Sequence, residues 1–257
     1  MGGGALSRYP DPSAATVALA ATIGIDPARL VLTNGGAEAI ALVAGLHPIG
    51  WVQPPEFSLY ARHLMAVHPR APRWRSNPHN PLGTLAAADD VALVWDEAFW
   101  PLATGTWTRG DENSWRLGSL TKLWACPGLR LGYAIAPSID AAAALVARQP
   151  AWAVNGLALA LVEPLLAATD LPMWAAAIAH GRAELVDMLA RHGFAAQPSA
   201  ANWVLVPGLA QHRAALARHG VLVRDCASFG LVGVARVAVP GESGRRRLDA
   251  ALAALAP

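Results

Sequence analysis

Between Val31 and Ala136 short apolar runs alternate with alanine-rich stretches, and this alternation leaves few folds open to the chain. Val31-Leu32-Thr33 reads as a strand, a Gly pair follows, and Ala37 to Ala44 has helical composition. Ile49 to Gln53 reads as a second strand, ended by Pro54-Pro55. The continuous apolar run Val91 to Trp95 predicts a buried strand, and Trp115 to Leu120 and Arg130 to Ala136 predict two more. Strands that take turns with helices imply an α/β fold, a mostly parallel sheet with helices on both faces, since parallel neighbours need a crossover.

From Ser138 the pattern moves towards helix, at Ile139 to Arg148, Leu157 to Ala168 and Met173 to His192. Short strands are expected at Asn202 to Val206, Val221 to Val223 and Ala235 to Val239, and a last helix from about Ser243. The chain therefore divides near Pro137 or Pro150. Residues 1–137 form a large domain, and residues 138–257 form linking helices and a smaller α+β domain. The Gly2-Gly3-Gly4 start is expected to be mobile.

Composition narrows the function. With 54% apolar and only 15% charged residues, extended disorder is not expected. A net charge of +2 with scattered basic residues does not suit nucleic acid as a partner, and Arg245-Arg246-Arg247 reads as a solvated helix face. The apolar stretches are broken before they reach the roughly 18 residues of a membrane span. Cys126 and Cys226 have no metal-ligand spacing, no metal is expected, and the opening residues carry no secretion signal. A reduced, cytoplasmic protein is the simplest expectation.

Four segments carry candidate chemistry. Thr33-Asn34-Gly35-Gly36-Ala37-Glu38 lies where a strand turns into a helix, so backbone N–H groups and the helix N-terminus can receive an anion. It is also compatible with an ordinary tight turn, and it lacks the Lys-Ser/Thr pair of a nucleotide phosphate loop. Asn77-Pro78-His79-Asn80-Pro81-Leu82-Gly83 forces an irregular backbone that can aim an Asn side chain into a cleft. Asp96-Glu97-Ala98-Phe99 follows a buried run, which puts Asp96 at a strand's C-terminal end, where open α/β sheets build sites; a helix N-cap is the other use of Asp there. Lys122, with Ser119 three residues before it and Arg130 eight after, suits a Schiff-base site whose neighbours hold an anionic group on the same molecule. A surface lysine before a Pro-Gly turn is the alternative.

In this order the segments resemble fold type I pyridoxal-phosphate (PLP) enzymes of the class I/II aminotransferase family. The likeness is greatest to the branch holding histidinol-phosphate aminotransferases and threonine-phosphate decarboxylases, and it runs from Tyr9-Pro10-Asp11-Pro12 to about Val239. The resemblance implies that Lys122 forms the Schiff base and later shuttles protons, while Asp96 pairs with the pyridine nitrogen. It gives Asn80 a hydrogen bond to the phenolic oxygen, Phe57 a stack on the ring face, and Gly36, Ala37, Ser119 and Arg130 the phosphate. By the same likeness Tyr9 reaches the phosphate of a neighbouring subunit, which implies a homodimer. Arg236 grips the substrate carboxylate and Arg224 a second anionic group. For Phe57 and Tyr9 core packing competes with these roles, and for Arg224 a plain surface position.

Arg224-Asp225-Cys226-Ala227-Ser228-Phe229-Gly230-Leu231, Ala151-Trp152-Ala153-Val154-Asn155 and Phe99 lean towards the cobalamin-pathway decarboxylases, since the aminotransferases of the branch usually have Tyr where Phe99 stands. The expectation is decarboxylation of an O-phosphorylated amino acid such as threonine phosphate, with transamination of the histidinol-phosphate type as the competing reading. The arm that usually precedes Tyr-Pro-Asp-Pro is expected to be missing, and only 16 residues separate Tyr60 from Asn77, so a smaller sheet is expected. A trimmed PLP-binding protein with little turnover, and more distantly a nucleotide-binding α/β module, are the remaining alternatives.

Overall fold

The computed structural model describes residues 4–255, so Gly2 and Gly3, part of the start expected to be mobile, lie outside the described residues. Gly4 belongs instead to a short helix, α1 (Gly4–Ser7), which is followed by α2 (Ser13–Ile23). Helix α2 stops at Gly24, whose left-handed backbone (φ 81°) lets its N–H reach Ala20 O. Then come β1 (Leu30–Asn34) and α3 (Gly35–Leu46). The expected second strand shrinks to β2 (Ile49–Gly50), which pairs in parallel with β3 (Ala66–Val67) beyond α4 (Ser58–His63). A strand that the sequence had not suggested, β4 (Trp74–Ser76), emerges from the proline- and arginine-rich segment.

The apolar run 91–95 is only partly strand: β5 is Val94–Asp96, and Val91 is 80% exposed in the preceding loop. Next come α5 (Trp100–Thr104), β6 (Trp115–Gly118), α6 (Leu120–Leu123) and β7 (Leu131–Ile135). The sheet order is β1-β7-β6-β5-β4. Strands β1, β4, β5 and β6 share one direction, and β7 runs against both of its neighbours. The reversal has a local cause: β6 and β7 are joined by the four-residue α6 and a tight turn at Pro127–Leu129, too short for a crossover.

Both faces of this sheet are covered. Along β1 the side chains alternate, Val31 packing with α3 and α4, and Leu30 and Leu32 packing with α2 and with α8 (Gly156–Ala167). The helix before it, α7 (Ile139–Val146), lies on the Val31 face through Ala142 and Leu145. Helices α7, α8 and α9 (Leu171–Arg191) each begin at a residue whose side chain caps the first turn: Ser138, Asn155 and Asp170 accept from Ala141, Ala158 and Met173 N–H groups.

Helix α9 spans two cores. Trp174 and Ile178 pack with the large sheet, whereas Leu185, Met188 and Leu189 belong to a third cluster. That cluster covers a three-stranded antiparallel sheet of order β8-β10-β9. Its elements are β8 (Trp203–Pro207), α10 (Arg213–Arg218), β9 (Arg224–Asp225), β10 (Val234–Ala238) and α11 (Glu242–Ala253). The strand expected at Val221 to Val223 thus lies slightly later, where Arg224 can pair across from Arg236. No single helix among the described residues is long and apolar enough to cross a membrane.

Candidate active site

The C-terminal ends of β4, β5 and β6 lie side by side, since Ser76 is in register with Asp96 and Asp96 with Leu117. The chain turns away from the sheet at each end, which leaves side chains facing a crevice. A pocket there is lined by Phe57, Ser76, Asn80, Asp96, Phe99, Lys122, Arg224 and Arg236, among others. Seven of the residues singled out in the sequence therefore meet, although they come from segments far apart in the chain.

Asp96 is nearly buried and held by two donors. Tyr60 Oη donates to its Oδ2 at 2.7 Å, and the Ala98 N–H donates to its Oδ1 at 3.0 Å. Burial and the nearby carboxylates push the Tyr60 phenol well above its usual range, so it stays a neutral donor. Phe57 stands edge-on to Tyr60, with ring centroids 5.7 Å apart.

Lys122 sits in α6, which places its side chain back over the crevice. Its Nζ is 5.2 Å from the Phe99 ring centroid, and no carboxylate pairs with it among the described residues. It is also the sole lysine in the chain, a fact that the local motif alone did not use. The Phe99 ring meets Trp203 edge-on at 4.7 Å, so the wall beside the amine is apolar.

Arg236 and Arg224 are opposite partners on β10 and β9. Arg236 Nη1 donates to Asn80 Oδ1 at 2.8 Å, and its guanidinium lies 5.0 Å from the Trp203 ring centroid. Arg224 lies 5.1 Å from the Phe229 ring centroid. Neither has a carboxylate partner among the described residues. Burial, then the charge of Arg224, lowers the affinity of Arg236 for its proton, which marks a cationic site short of negative charge.

Along the same edge, Gly36, Ala37, Ser119 and Arg130 form a second cluster. Gly36 and Ala37 lie in the first turn of the 12-residue α3, where backbone N–H groups lack helical acceptors. Glu38 accepts the Asn34 N–H at 2.7 Å and so fixes that first turn. A Cβ on Gly35 would collide with the Arg130 guanidinium, and a Cβ on Gly132 would stand 2.5 Å from Gly36 N. Only glycines let these backbones and the arginine come so close. Ser119 Oγ lies 2.9 Å from Thr121 Oγ1.

Tyr9 is not part of either cluster. It is 77% exposed and stacks on Trp152 with ring centroids 4.4 Å apart. Sequence reading missed Thr121, Tyr60, Ser76 and Glu56. Thr121 could have been found as a second hydroxyl one residue before Lys122, whereas Tyr60 touches Asp96 only through the fold. Glu56 accepts the Phe57 N–H at 2.9 Å and the Ser76 N–H at 3.0 Å, and burial raises its pKa to about 7. Its neighbour His79 is lowered to about 4, by burial first and then by Arg75 and Arg73. Glu97, beside Asp96, is also raised to about 7 by burial.

An open α/β sheet that gathers an amine, a buried carboxylate, helix N–H groups and an arginine at its strand ends has the layout of an enzyme that holds a carbonyl cofactor. The chain belongs to the aminotransferase class I and II family, whose model matches residues 74–255. It is 29% identical over 294 residues to histidinol-phosphate aminotransferase 2 of Ralstonia nicotianae, covering 91% of this chain and 77% of that one. The fold is shared with L-threonine-O-3-phosphate decarboxylase from Porphyromonas gingivalis, with a TM-score of 0.82, 21% identity, and coverage of 98% of this chain and 91% of that one. It is shared too with histidinol-phosphate aminotransferase from Sinorhizobium meliloti, solved in complex with pyridoxal-5'-phosphate, with a TM-score of 0.81, 20% identity, and coverage of 99% and 85%.

Proposed function

We propose that this PLP-dependent enzyme decarboxylates an amino acid that carries a second anionic group, threonine phosphate being the type substrate. The observation that carries the proposal is the facing pair Arg224 and Arg236, neither with a carboxylate partner among the described residues, in one pocket with Lys122 and Asp96. The residues present fit the cofactor. The cradle of Gly36, Ala37, Ser119, Thr121 and Arg130 offers hydroxyls, helix N–H groups and a cation to a phosphate, over a surface that a Cβ on Gly35 would fill. Asp96 offers a fixed anion to a ring nitrogen, Phe57 an aromatic face, and Lys122 the covalent anchor.

When bound, PLP supplies an aldehyde that condenses with an amine and a ring that takes up the electron pair released at the substrate's Cα. Asp96, whose oxygens are fixed by Tyr60 and Ala98, would hold the ring nitrogen. Arg236, fixed by Asn80 and Trp203, grips the substrate carboxylate and sets its angle, and Arg224 binds the second anion. For decarboxylation Arg236 would hold the carboxylate at the angle from which it leaves as carbon dioxide, and Lys122 Nζ would then deliver a proton to the substrate's Cα. Phe99 and Trp203 form an apolar wall beside Lys122, which suits a neutral leaving molecule.

A second reading, transamination of the histidinol-phosphate type, is favoured by the Ralstonia relative. In it Lys122 Nζ would take the α-proton from the substrate. Incubation of the PLP-loaded protein with O-phospho-L-threonine separates the two. Carbon dioxide and aminopropanol phosphate support decarboxylation; a keto product formed only with 2-oxoglutarate overturns it.

We also infer a homodimer in which Tyr9 completes the partner's phosphate cradle. Its exposure and its distance from this chain's own pocket support that role. Light scattering that gives a monomer under active conditions would overturn it.

A further inference from the structure

Behind the pocket a buried acid is linked to the substrate arginine through Ser76 and through Asn80, whose backbone N–H and side-chain oxygen take the two ends of the link. Glu56 lies in the turn before α4 and is almost wholly removed from solvent. Its carboxylate accepts from the Phe57 and Ser76 N–H groups and from Ser76 Oγ. Ser76 Oγ in turn accepts the Asn80 N–H at 2.7 Å. Asn80 Oδ1 accepts from Arg236 Nη1 at 2.8 Å, which carries the chain from the large sheet to the small one. His79 Nε2 stands 3.6 Å from Glu56 Oε2, and Asp96 is close enough to add its repulsion.

A buried carboxylate is costly unless donors surround it, and among the described residues no Lys or Arg pairs with this one. A neutral side chain would fill the same space without that cost. What the acid adds is geometry: two oxygens that hold both polar groups of Ser76 at once. Ser76 is thereby fixed as an acceptor towards Asn80, because its hydroxyl proton is committed to Glu56. We propose that Glu56 is a positioning residue for substrate recognition, which through Ser76 and Asn80 holds Arg236 at the angle that receives the substrate carboxylate. This rests on the assignment of Arg236 to the substrate carboxylate made above.

The test separates the two ligand anions. In a Lys122→Ala background, where turnover is blocked, the PLP-loaded protein is titrated with O-phospho-L-threonine and with aminopropanol phosphate, the same skeleton without the carboxylate. Tryptophan fluorescence is the readout, since Trp203 lies under Arg236. Glu56→Gln should weaken phosphothreonine about tenfold and leave the amine within twofold, a change of about 1.4 kcal/mol for one ligand only. Ser76→Ala, which cuts the chain at its next link, should do the same, and the double variant should be no weaker than Ser76→Ala. If Glu56→Gln does not fold, Ser76→Ala alone decides the matter.

Equal weakening of both ligands by these variants, or of neither, overturns the proposal. Arg236→Ala serves as the control. If it leaves the preference for the carboxylate unchanged, the assignment of Arg236 falls and the proposal falls with it. If it abolishes the preference while Glu56→Gln and Ser76→Ala do not, the positioning role alone is wrong.

Discussion

Asp96→Asn removes one charge and almost nothing else. The Ala98 N–H keeps its acceptor at Oδ1, and the Tyr60 hydroxyl, which donates to Oδ2 at 2.7 Å, can turn to accept from the new amide. The side chain is only 9% exposed, so water cannot restore the lost negative charge. A hydrogen bond to a charged group contributes about 1.5–3 kcal/mol against about 1 for a neutral pair. Losing the charge opposite a protonated ring nitrogen in this site should therefore cost about 2 kcal/mol, or roughly 30-fold in PLP affinity. The assay is titration of the apoprotein with PLP, followed by quenching of its ten tryptophans. Melting temperature is recorded in parallel and should change little. A dissociation constant within threefold of the parent, with melting unchanged, would refute the placement of the ring nitrogen at Asp96.

Three further outcomes follow from named contacts. Gly132→Ala puts a Cβ 2.5 Å from Gly36 N and should cost about 1–3 kcal/mol of stability while weakening PLP binding; denaturant melts and the same titration check both. Glu97→Gln tests burial: the folded pKa of about 7 exceeds the reference 4.5, so the folded state holds its proton longer, and stability is lost as pH rises from 4.5 to 7. The variant should gain about 2.5 kcal/mol on the parent between pH 5 and pH 8, read from urea melts, and a constant difference would show that Glu97 titrates normally. Phe99→Tyr puts a hydroxyl into the wall beside Lys122 and should raise any transamination of phosphothreonine relative to carbon dioxide release, measured as the product ratio.

The sequence made the sheet legible wherever both faces were apolar, as at Leu30–Asn34 and Leu131–Ile135. It misjudged strands whose ends depend on neighbours. Val91 is as apolar as Val94, yet only the latter pairs, because β5 begins where Trp74 and Trp115 supply partners. Strand β4 was hidden by Pro72 and two arginines, and nothing local marks three residues as a sheet edge. The site divides in the same way. Lys122, Asp96 and Asn80 stand in segments whose composition already points to chemistry, while the Tyr60 bond to Asp96 and the Asn80 bond to Arg236 span 36 and 156 residues. Contacts of that span are set by how the two sheets pack, which no short segment records.

Lys122 is assigned to carry the cofactor, and its covalent trace is easy to read because the chain has no other lysine. The protein is loaded with PLP, reduced with borohydride, digested and analysed by mass spectrometry. A pyridoxyl group should appear on the Lys122 peptide, the absorbance band at ~420 nm should disappear on reduction, and Lys122→Ala should show neither label nor band. A band that survives in Lys122→Ala, or a label confined to the N-terminal amine, would contradict the assignment.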